Sequence, residues 1–471
     1  MEELYQYDQE YRDSIATVDA EGNRVWVYPK KPKGRLHNLR IAVTVLLLGI
    51  LFAGPFIKID GQPFFLFNFF QRKFIIFGQV FWPQDFILFG LAMITFFVFI
   101  ILFTTAFGRI WCGWACPQTL FMEMVFRKVE YLIEGDANQQ RKLNAAPWNT
   151  EKIIKKGVKQ VVFFIISSII AHLLMAYLIG VDQVKELILA GPASEFAGFV
   201  GLLVFTFVFY GVFAYFREQA CTVVCPYGRL QGVLLNKESI VVAYDWLRGE
   251  PRGKLKKGQV SEDNGDCIDC KLCVHACPTG IDIRNGTQLE CVNCTACIDA
   301  CDQVMEKISK PRGLIRYDSY NGINEGKKLT FNLRLAGYTT VLVVLVSALT
   351  YLLISRTDVE TTVLRVPGQL YQTTENGNIS NLYNIQVINK TFDQISLDIR
   401  ILNQEGATIK KVGDDRLEVP SNGMVESVYF VEIPKSQVTG TKTPLKLGVF
   451  RGDELIEKVT TNFLGPFSTA P

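Results

Sequence analysis

Five stretches of this 471-residue chain, at about 41–59, 86–107, 160–180, 196–216 and 336–355, are each long and apolar enough to cross the hydrocarbon core of a bilayer. In lipid every backbone N–H and C=O must be paired, so each stretch is predicted to be a helix and the chain a five-span α-helical membrane protein. The first is read as an anchor rather than a cleaved leader, because some 40 polar residues precede it and no small-x-small site follows at Lys58-Ile59-Asp60. Apolar residues make up 49% and aromatic residues 12%, which suits such a chain. Lys and Arg number 49 against 46 Asp and Glu, too even a balance for a protein whose main partner is nucleic acid.

Orientation follows from positive charge in the flanks. The N-terminal segment carries seven (Arg12, Arg24, Lys30, Lys31, Lys33, Arg35, Arg40), and residues 108–159 carry nine. The 60–85 loop has only Arg72 and Lys73, and the 181–195 loop only Lys185. The N-terminus is therefore expected in the cytoplasm and the tail beyond 356 outside, in the periplasm of a bacterial inner membrane. In that tail apolar residues alternate, as in Ile395-Leu397-Ile399-Ile401, with turn signals such as Ser421-Asn422-Gly423 between the runs. About seven short strands at this spacing predict an immunoglobulin-like β-sandwich without a disulfide. The expected divisions are 1–40, a four-helix membrane domain 41–235, a cytoplasmic domain 236–335, the fifth helix 336–355 and the sandwich 356–471.

All twelve cysteines fall in short-spaced groups, and all lie in segments placed in the reducing cytoplasm. Residues 267–278 read C-x2-C-x2-C-x3-C-P, and 291–301 repeat the four-cysteine spacing. This is the bacterial two-cluster ferredoxin pattern, in which the fourth cysteine of each run crosses to the other run's [4Fe-4S] cube. Cys267, Cys270, Cys273 and Cys301 are thus predicted to hold one cluster, and Cys291, Cys294, Cys297 and Cys277 the second. A pair of four-cysteine zinc sites would separate its C-x2-C knuckles by a longer loop. With no C-x-x-C-H, covalent haem is excluded, and one histidine within a span, His172, cannot supply both axial ligands of a buried haem.

The second and fourth spans run into Cys112-Gly-Trp-Ala-Cys116-Pro117 and Cys221-Thr-Val-Val-Cys225-Pro226, a repeat that points to duplication. Proline is best tolerated in the first turn of a helix, so Cys116 and Cys225 are expected at helix N-termini, where the dipole favours thiolate and lowers the thiol pKa. Residues four apart share a helical face with Cβ atoms about 6 Å apart, so each pair could grip a soft ion or oxidise together. Two pairs of inert buried cysteines remain the plainer alternative. Met122 and Met124 could add thioether ligands for Cu(I), although a methionine on an apolar helix is more often packing. His172 fits a proton or quinol contact or a hydrogen-bonded core residue, and His275 a surface spacer. The Phe-rich loop 63–82, with Arg72, Lys73, Trp82 and Asp85, reads as a quinol pocket or, more simply, an interfacial aromatic belt.

Taken together, the five spans, the paired C-x3-C-P motifs, the tandem cluster motif and the outer β-domain resemble the cytochrome c oxidase accessory protein family (CcoG/FixG type). Further stretches that carry the likeness are Val27-Tyr28-Pro29-Lys30 to Gly34-Arg35, Arg72-Lys73-Phe74 to Phe81-Trp82-Pro83-Gln84-Asp85, Cys112-Gly113-Trp114, and Tyr244-Asp245 to Arg248-Gly249-Glu250-Pro251-Arg252-Gly253. The resemblance implies a membrane polyferredoxin that supplies reduced copper during assembly of a high-affinity oxidase. In that role Cys112, Cys116, Cys221 and Cys225 are the copper-reducing or copper-holding thiols, and oxidase subunits or copper chaperones the partners; a second copy of the chain is left open. The alternatives are a quinol dehydrogenase subunit, similar to the membrane ferredoxins of periplasmic nitrate and nitrous-oxide reduction, and a non-catalytic assembly scaffold. Electron export would need an outward acceptor site, and residues 356–471 contain neither Cys nor His.

Overall fold

The computed structural model describes residues 17–19, 21–59, 62–70, 73–82, 85–254, 264–326, 332–368, 370–391, 393–413, 417–438 and 440–466. Arg12, Arg72, Pro83 and Gln84 of the sequence argument lie outside the described residues. The chain divides into two compact units, one running through the helical and cysteine-bearing part to Leu349, the other from Thr350 onward together with residues 74–82. The aromatic loop 63–82 is thus shared between the two.

Among the described residues five helices are long and apolar enough to span a membrane: α1 (Arg35–Ala53), α2 (Phe86–Phe107), α3 (Thr150–Ile179), α5 (Phe196–Gly211, continuing as a wider turn to Phe216) and α7 (Leu333–Ile354). A further helix, α4 (Val181–Ala190), occupies most of the segment read from sequence as a plain loop. α1 lies six residues earlier than expected. It stops at Ala53: Gly54 keeps helical angles (φ −48°, ψ −48°), but Pro55 has no amide to continue the ladder, and the Leu51 carbonyl accepts from the Tyr177 hydroxyl at 2.7 Å instead. α3 starts ten residues early, where the Asn149 side chain accepts from the Lys152 amide and caps a polar, cationic first half. It is the centre of the bundle, 39% buried over its most apolar stretch against 17% or less for the other four. At its middle Phe126 stacks on Phe213 at 4.4 Å and meets Phe163 edge-on at 4.8 Å.

The cysteine-rich module is built on a two-stranded antiparallel pair, β1 (Val241–Tyr244) and β2 (Ile315–Asp318), and on helix α6 (Ala296–Lys307). Val242, Ile281, Ile283, Met305 and Leu314 form its small core with the buried cysteines. The module holds the first membrane helix directly. Gly34 precedes α1 and offers no side-chain cap, and the Asp299 carboxylate on α6 takes the Leu36 and His37 amides instead, at 3.1 and 2.7 Å. A Cβ at Gly34, whose φ is +153°, would lie 2.3 Å from Asp299 Cγ, so glycine is required there. Asp299→Ala removes both hydrogen bonds and a favourable charge at the helix N-terminus. It is expected to cost about 1–2 kcal/mol in thermal unfolding in detergent, with Asp299→Asn retaining part of that.

From Val359 onward the chain forms two antiparallel sheets. One has the order β7 (Thr408–Lys411), β9 (Met424–Ile433), β5 (Ile379–Asn389), β3 (Val359–Arg365), with β4 (Gln372–Thr373) also on β5. The other runs β8 (Leu417–Val419), β6 (Ile395–Ile401), β10 (Lys442–Arg451), β11 (Glu454–Leu464). The alternation read from sequence holds on β6, where Ile395, Leu397 and Ile399 are buried and Ser396, Asp398 and Arg400 exposed. Nine strands appear rather than seven, because β4 and β8 are too short to show a period. The buried Tyr383 hydroxyl donates to the Asn462 carbonyl at 2.9 Å and ties the sheets together.

Candidate iron–sulfur and thiol site

Cys267, Cys270, Cys273 and Cys301 line one small cavity, beside Tyr244 and Arg284. Cys277, Cys291, Cys294 and Cys297 line a second, which Cys273 also borders. The last cysteine of each run therefore sits with the first three of the other. The backbone makes this possible. In each three-cysteine loop the residue before the second cysteine and the residue after it adopt left-handed conformations, Asp269 and Lys271 in one and Asn293 and Thr295 in the other. Such turns aim successive amides into one concavity. The amides of Asn293 and Ala296 donate to Cys291 and Cys294, and those of Thr279, Gly280 and Ile281 to Cys277. Burial pushes the Cys273 and Cys291 thiols up to about 12 and Cys294 to about 11, so in the absence of a cation they hold their protons. Sulfurs spread around two cavities, with amide donors aimed inward, fit two cubanes.

The two C-x3-C-P motifs share a backbone as well as a sequence. α2 ends at Gly108 (φ 56°, ψ −131°) and α5 with its extension at Arg217 (φ 52°, ψ −121°), each four residues before the first cysteine of its pair. Cys116 and Cys225 then occupy N-cap positions at ψ 122° and 115°, with Pro117 and Pro226 opening the next helices, as the spacing predicts. The four thiols are near neighbours: Cys112 and Cys225 both act on Cys116, and Cys116, Cys112 and Cys225 on Cys221. The expected lowering of the Cys116 thiol pKa does not occur. Burial pushes Cys116 up despite the Thr119 and Gln118 amides, and lifts Cys221 to about 12, with the neighbouring sulfurs adding to the shift. The dipole of a short, partly buried helix is outweighed by desolvation. Gln231, fully buried, donates to Cys112 Sγ at 3.3 Å, and the Thr119 hydroxyl lies 3.9 Å from Cys221 Sγ.

The two sets of cysteines are in backbone contact. A Cβ at Gly113, between Cys112 and Cys116, would lie 2.5 Å from the Val292 carbonyl oxygen and 2.6 Å from that of Asn293, inside the Cys291–Cys294 loop. Trp114 Nε1 donates to the Tyr317 hydroxyl at 2.9 Å, and that hydroxyl to the Asn293 carbonyl at 3.0 Å. Arg40 Nε donates to the Gly113 carbonyl at 2.7 Å. The buried Arg109 guanidinium bonds the Leu289 carbonyl and lies against Gly228 in the helix after Cys225.

Sequence reasoning missed a buried charge network beneath this site. Arg217 clasps Glu130 with two bonds of 2.8 and 2.7 Å, Lys159 pairs with Glu134 at 2.9 Å, Arg127 with Glu123 at 3.0 Å, and Arg24 with Glu218 at 3.1 Å. Burial alone would raise the Glu130 carboxyl, but the Arg217, Lys159 and Arg127 charges outweigh it and hold the group below the usual range. The Arg217–Glu130 clasp also secures the left-handed turn that aims Cys221. No local signal marks it, since its partners lie 87 residues apart.

Other sequence candidates resolve plainly. Met122 packs among Phe121, Phe126 and Phe213, and Met124 is buried, so both belong to the apolar interior rather than to an ion site. His275 is exposed, and its carbonyl accepts the Lys30 amide at 2.7 Å. His172 is held by Ser168 one turn away.

Comparison with known proteins agrees with this architecture. Residues 216–320 match the "4Fe-4S dicluster domain", 89–134 the "4Fe-4S binding domain", and 349–466 the "IG-like fold at C-terminal of FixG". Protein RdxB of Cereibacter sphaeroides is 34% identical over 423 residues, covering 86% of this chain and 88% of the relative. Protein RdxA of the same organism is 32% identical over 446 residues, covering 90% and 93%. The nitrogen fixation protein FixG of Rhizobium meliloti is 32% identical over 461 residues, covering 87% of each chain. With its tandem cysteine cradles, five apolar helices and C-terminal sandwich, the chain belongs to the FixG/Rdx family of iron–sulfur proteins.

Proposed function

We propose that this iron–sulfur protein reduces Cu(II) to Cu(I) for insertion into a high-affinity cytochrome c oxidase, with Cys112, Cys116, Cys221 and Cys225 as the reacting thiols. The observation that carries the reading is their placement: four neighbouring sulfurs, one pair in backbone contact through Gly113 with the Cys291–Cys294 loop. Cys267, Cys270, Cys273 and Cys301 would hold one [4Fe-4S] cluster and Cys277, Cys291, Cys294 and Cys297 the other, groups that supply electrons singly when bound. The chain's own contribution is positional. Gln231 and Thr119 orient the Cys112 and Cys221 sulfurs, and buried soft donors favour the cuprous over the cupric ion. Oxidation of one dithiol to a disulfide releases two electrons and two protons and takes two Cu(II) to two Cu(I). Oxidase subunits or copper chaperones would receive the product.

Anaerobic metal analysis tests this directly. The purified protein is expected to hold about eight irons. Cys294→Ser is expected to lose about half of these and the coupled signals of the dithionite-reduced protein, whereas zinc in their place would overturn the assignment. A second reading rests on the "4Fe-4S binding domain" match over 89–134, which contains only Cys112 and Cys116. If the four C-x3-C-P thiols hold a third cluster, the count would be about twelve.

The same proposal places the protein in a bacterial inner membrane with its N-terminus in the cytoplasm and its tail in the periplasm. Protease shaving of intact cells is expected to cut beyond residue 356 and to spare 264–326; a protected tail would reverse every loop.

A further inference from the structure

The geometry points to a quinol-binding site in the membrane part of the chain, centred on His172. A cavity of about 740 Å³ opens between the end of α1, the outer half of α3 and helix α4, within the range of about 300–1,000 Å³ typical of small-molecule sites. Phe52, Phe164, Ile169, Leu173 and Val184 make its walls apolar. Three side chains break that surface: Ser168, His172 and, on α4, Lys185. An ionisable ring on an otherwise apolar membrane wall is costly and marks a partner.

The hydrogen bonds of His172 say what kind. Its Nδ1 lies 2.7 Å from the Ser168 carbonyl oxygen. A carbonyl only accepts, so Nδ1 carries the proton and, in the neutral ring, Nε2 presents its lone pair. The Ser168 hydroxyl lies 3.5 Å from the same nitrogen, and among the described residues no hydrogen bond reaches Nε2. A ring hydroxyl meets that need, and a lipid acyl chain does not. An occupant with a hydroxylated ring and an apolar tail, soluble in the bilayer, is a quinol.

One wall of the cavity reaches toward the thiol site. The Phe52 ring in its wall meets Phe121 edge-on at 6.5 Å, and Phe121 follows Cys116 by five residues, about 7.5 Å along a helix. This inference deepens the electron-transfer reading, because it names the donor that such a protein requires.

The test is photolabelling of the full-length protein in phosphatidylcholine nanodiscs with short-chain azido-ubiquinone and azido-menaquinone, followed by peptide mapping. Label is expected within residues 164–189 and should be displaced by unlabelled quinol. His172→Leu is expected to weaken that competition about fivefold, the value of one neutral hydrogen bond. Should that variant fold poorly, Ile169→Trp fills the cavity from a half-exposed position and is expected to abolish specific label. Labelling that neither variant reduces, or that excess phosphatidylcholine suppresses as well as quinol does, overturns the site and leaves a lipid groove. The readout needs no turnover. Failure of copper reduction in a chain that still takes up label would count against the copper reading alone.

Discussion

Cys116→Ser with Cys225→Ser is expected to lower Cu(II) reduction by about 100-fold or more, while iron stays at about eight per chain. The asymmetry follows from where the two sets of sulfur sit. The C-x3-C-P thiols are oriented by Gln231, Thr119 and the caps of their own helices, none of which lines either four-cysteine cavity. Removing them deletes soft donors without disturbing the cradles, so metal content and copper chemistry should separate. Cys112→Ser with Cys221→Ser should behave alike. The measurement is anaerobic trapping of Cu(I) by a chelator, beside iron determination on the same sample. Copper reduction at the unaltered rate would remove these four residues from the reaction and favour a dehydrogenase or a scaffold.

Glu130→Ala is expected to destabilise the protein by about 3–5 kcal/mol, the largest loss for a residue that touches no cysteine. Glu130 is 1% exposed, and its removal leaves the Arg217 guanidinium, 4% exposed, without its clasp. The remaining carboxylate on Arg217, Glu218 at 3.6 Å, is already shared with Arg24 and Arg127, and a buried cation left short of a partner costs more than the pair contributed. Arg217 also holds a left-handed backbone that a non-glycine residue adopts only under constraint, so the turn before Cys221 should loosen with it. Thermal unfolding in detergent gives the magnitude. Pairing Glu130→Leu with Arg217→Met should recover part of the loss, because neither charge is then stranded. A single substitution within 1 kcal/mol of the parent would show that water reaches the network.

What could be read from sequence was whatever the chain states locally. The C-x2-C-x2-C-x3-C runs, Pro117 and Pro226 after the paired cysteines, and the alternation along Ile395–Ile401 each carry their meaning within a dozen residues. The crossed grouping of Cys277 and Cys301 was legible because that spacing leaves the fourth cysteine out of reach of its own loop. Features made by distant partners were not legible. Glu130 and Arg217 each look like a solvated charge until the fold buries them together. The Cys116 thiol pKa was misjudged for a like reason: a helix N-terminus is visible in Cys116-Pro117, but the burial that outweighs it, and the Cys225 sulfur that adds to it, come only with the fold. His172 gains its cavity only because residues 181–190, read as a loop, fold into α4 against α3.

The cap on α1 has a bearing on the order of biogenesis. The ribosome makes Leu36 and His37 early and Asp299 some 263 residues later, so the membrane anchor enters its span with the first turn unfinished. That turn closes only when α6, which carries Cys297 and Cys301, has docked behind it. A nascent chain cut short before Asp299 keeps frayed amides at the edge of the bilayer, beside the basic residues Arg35 and Arg40. The first apolar helix thus reports on the completion of a cysteine cradle made much later in the chain.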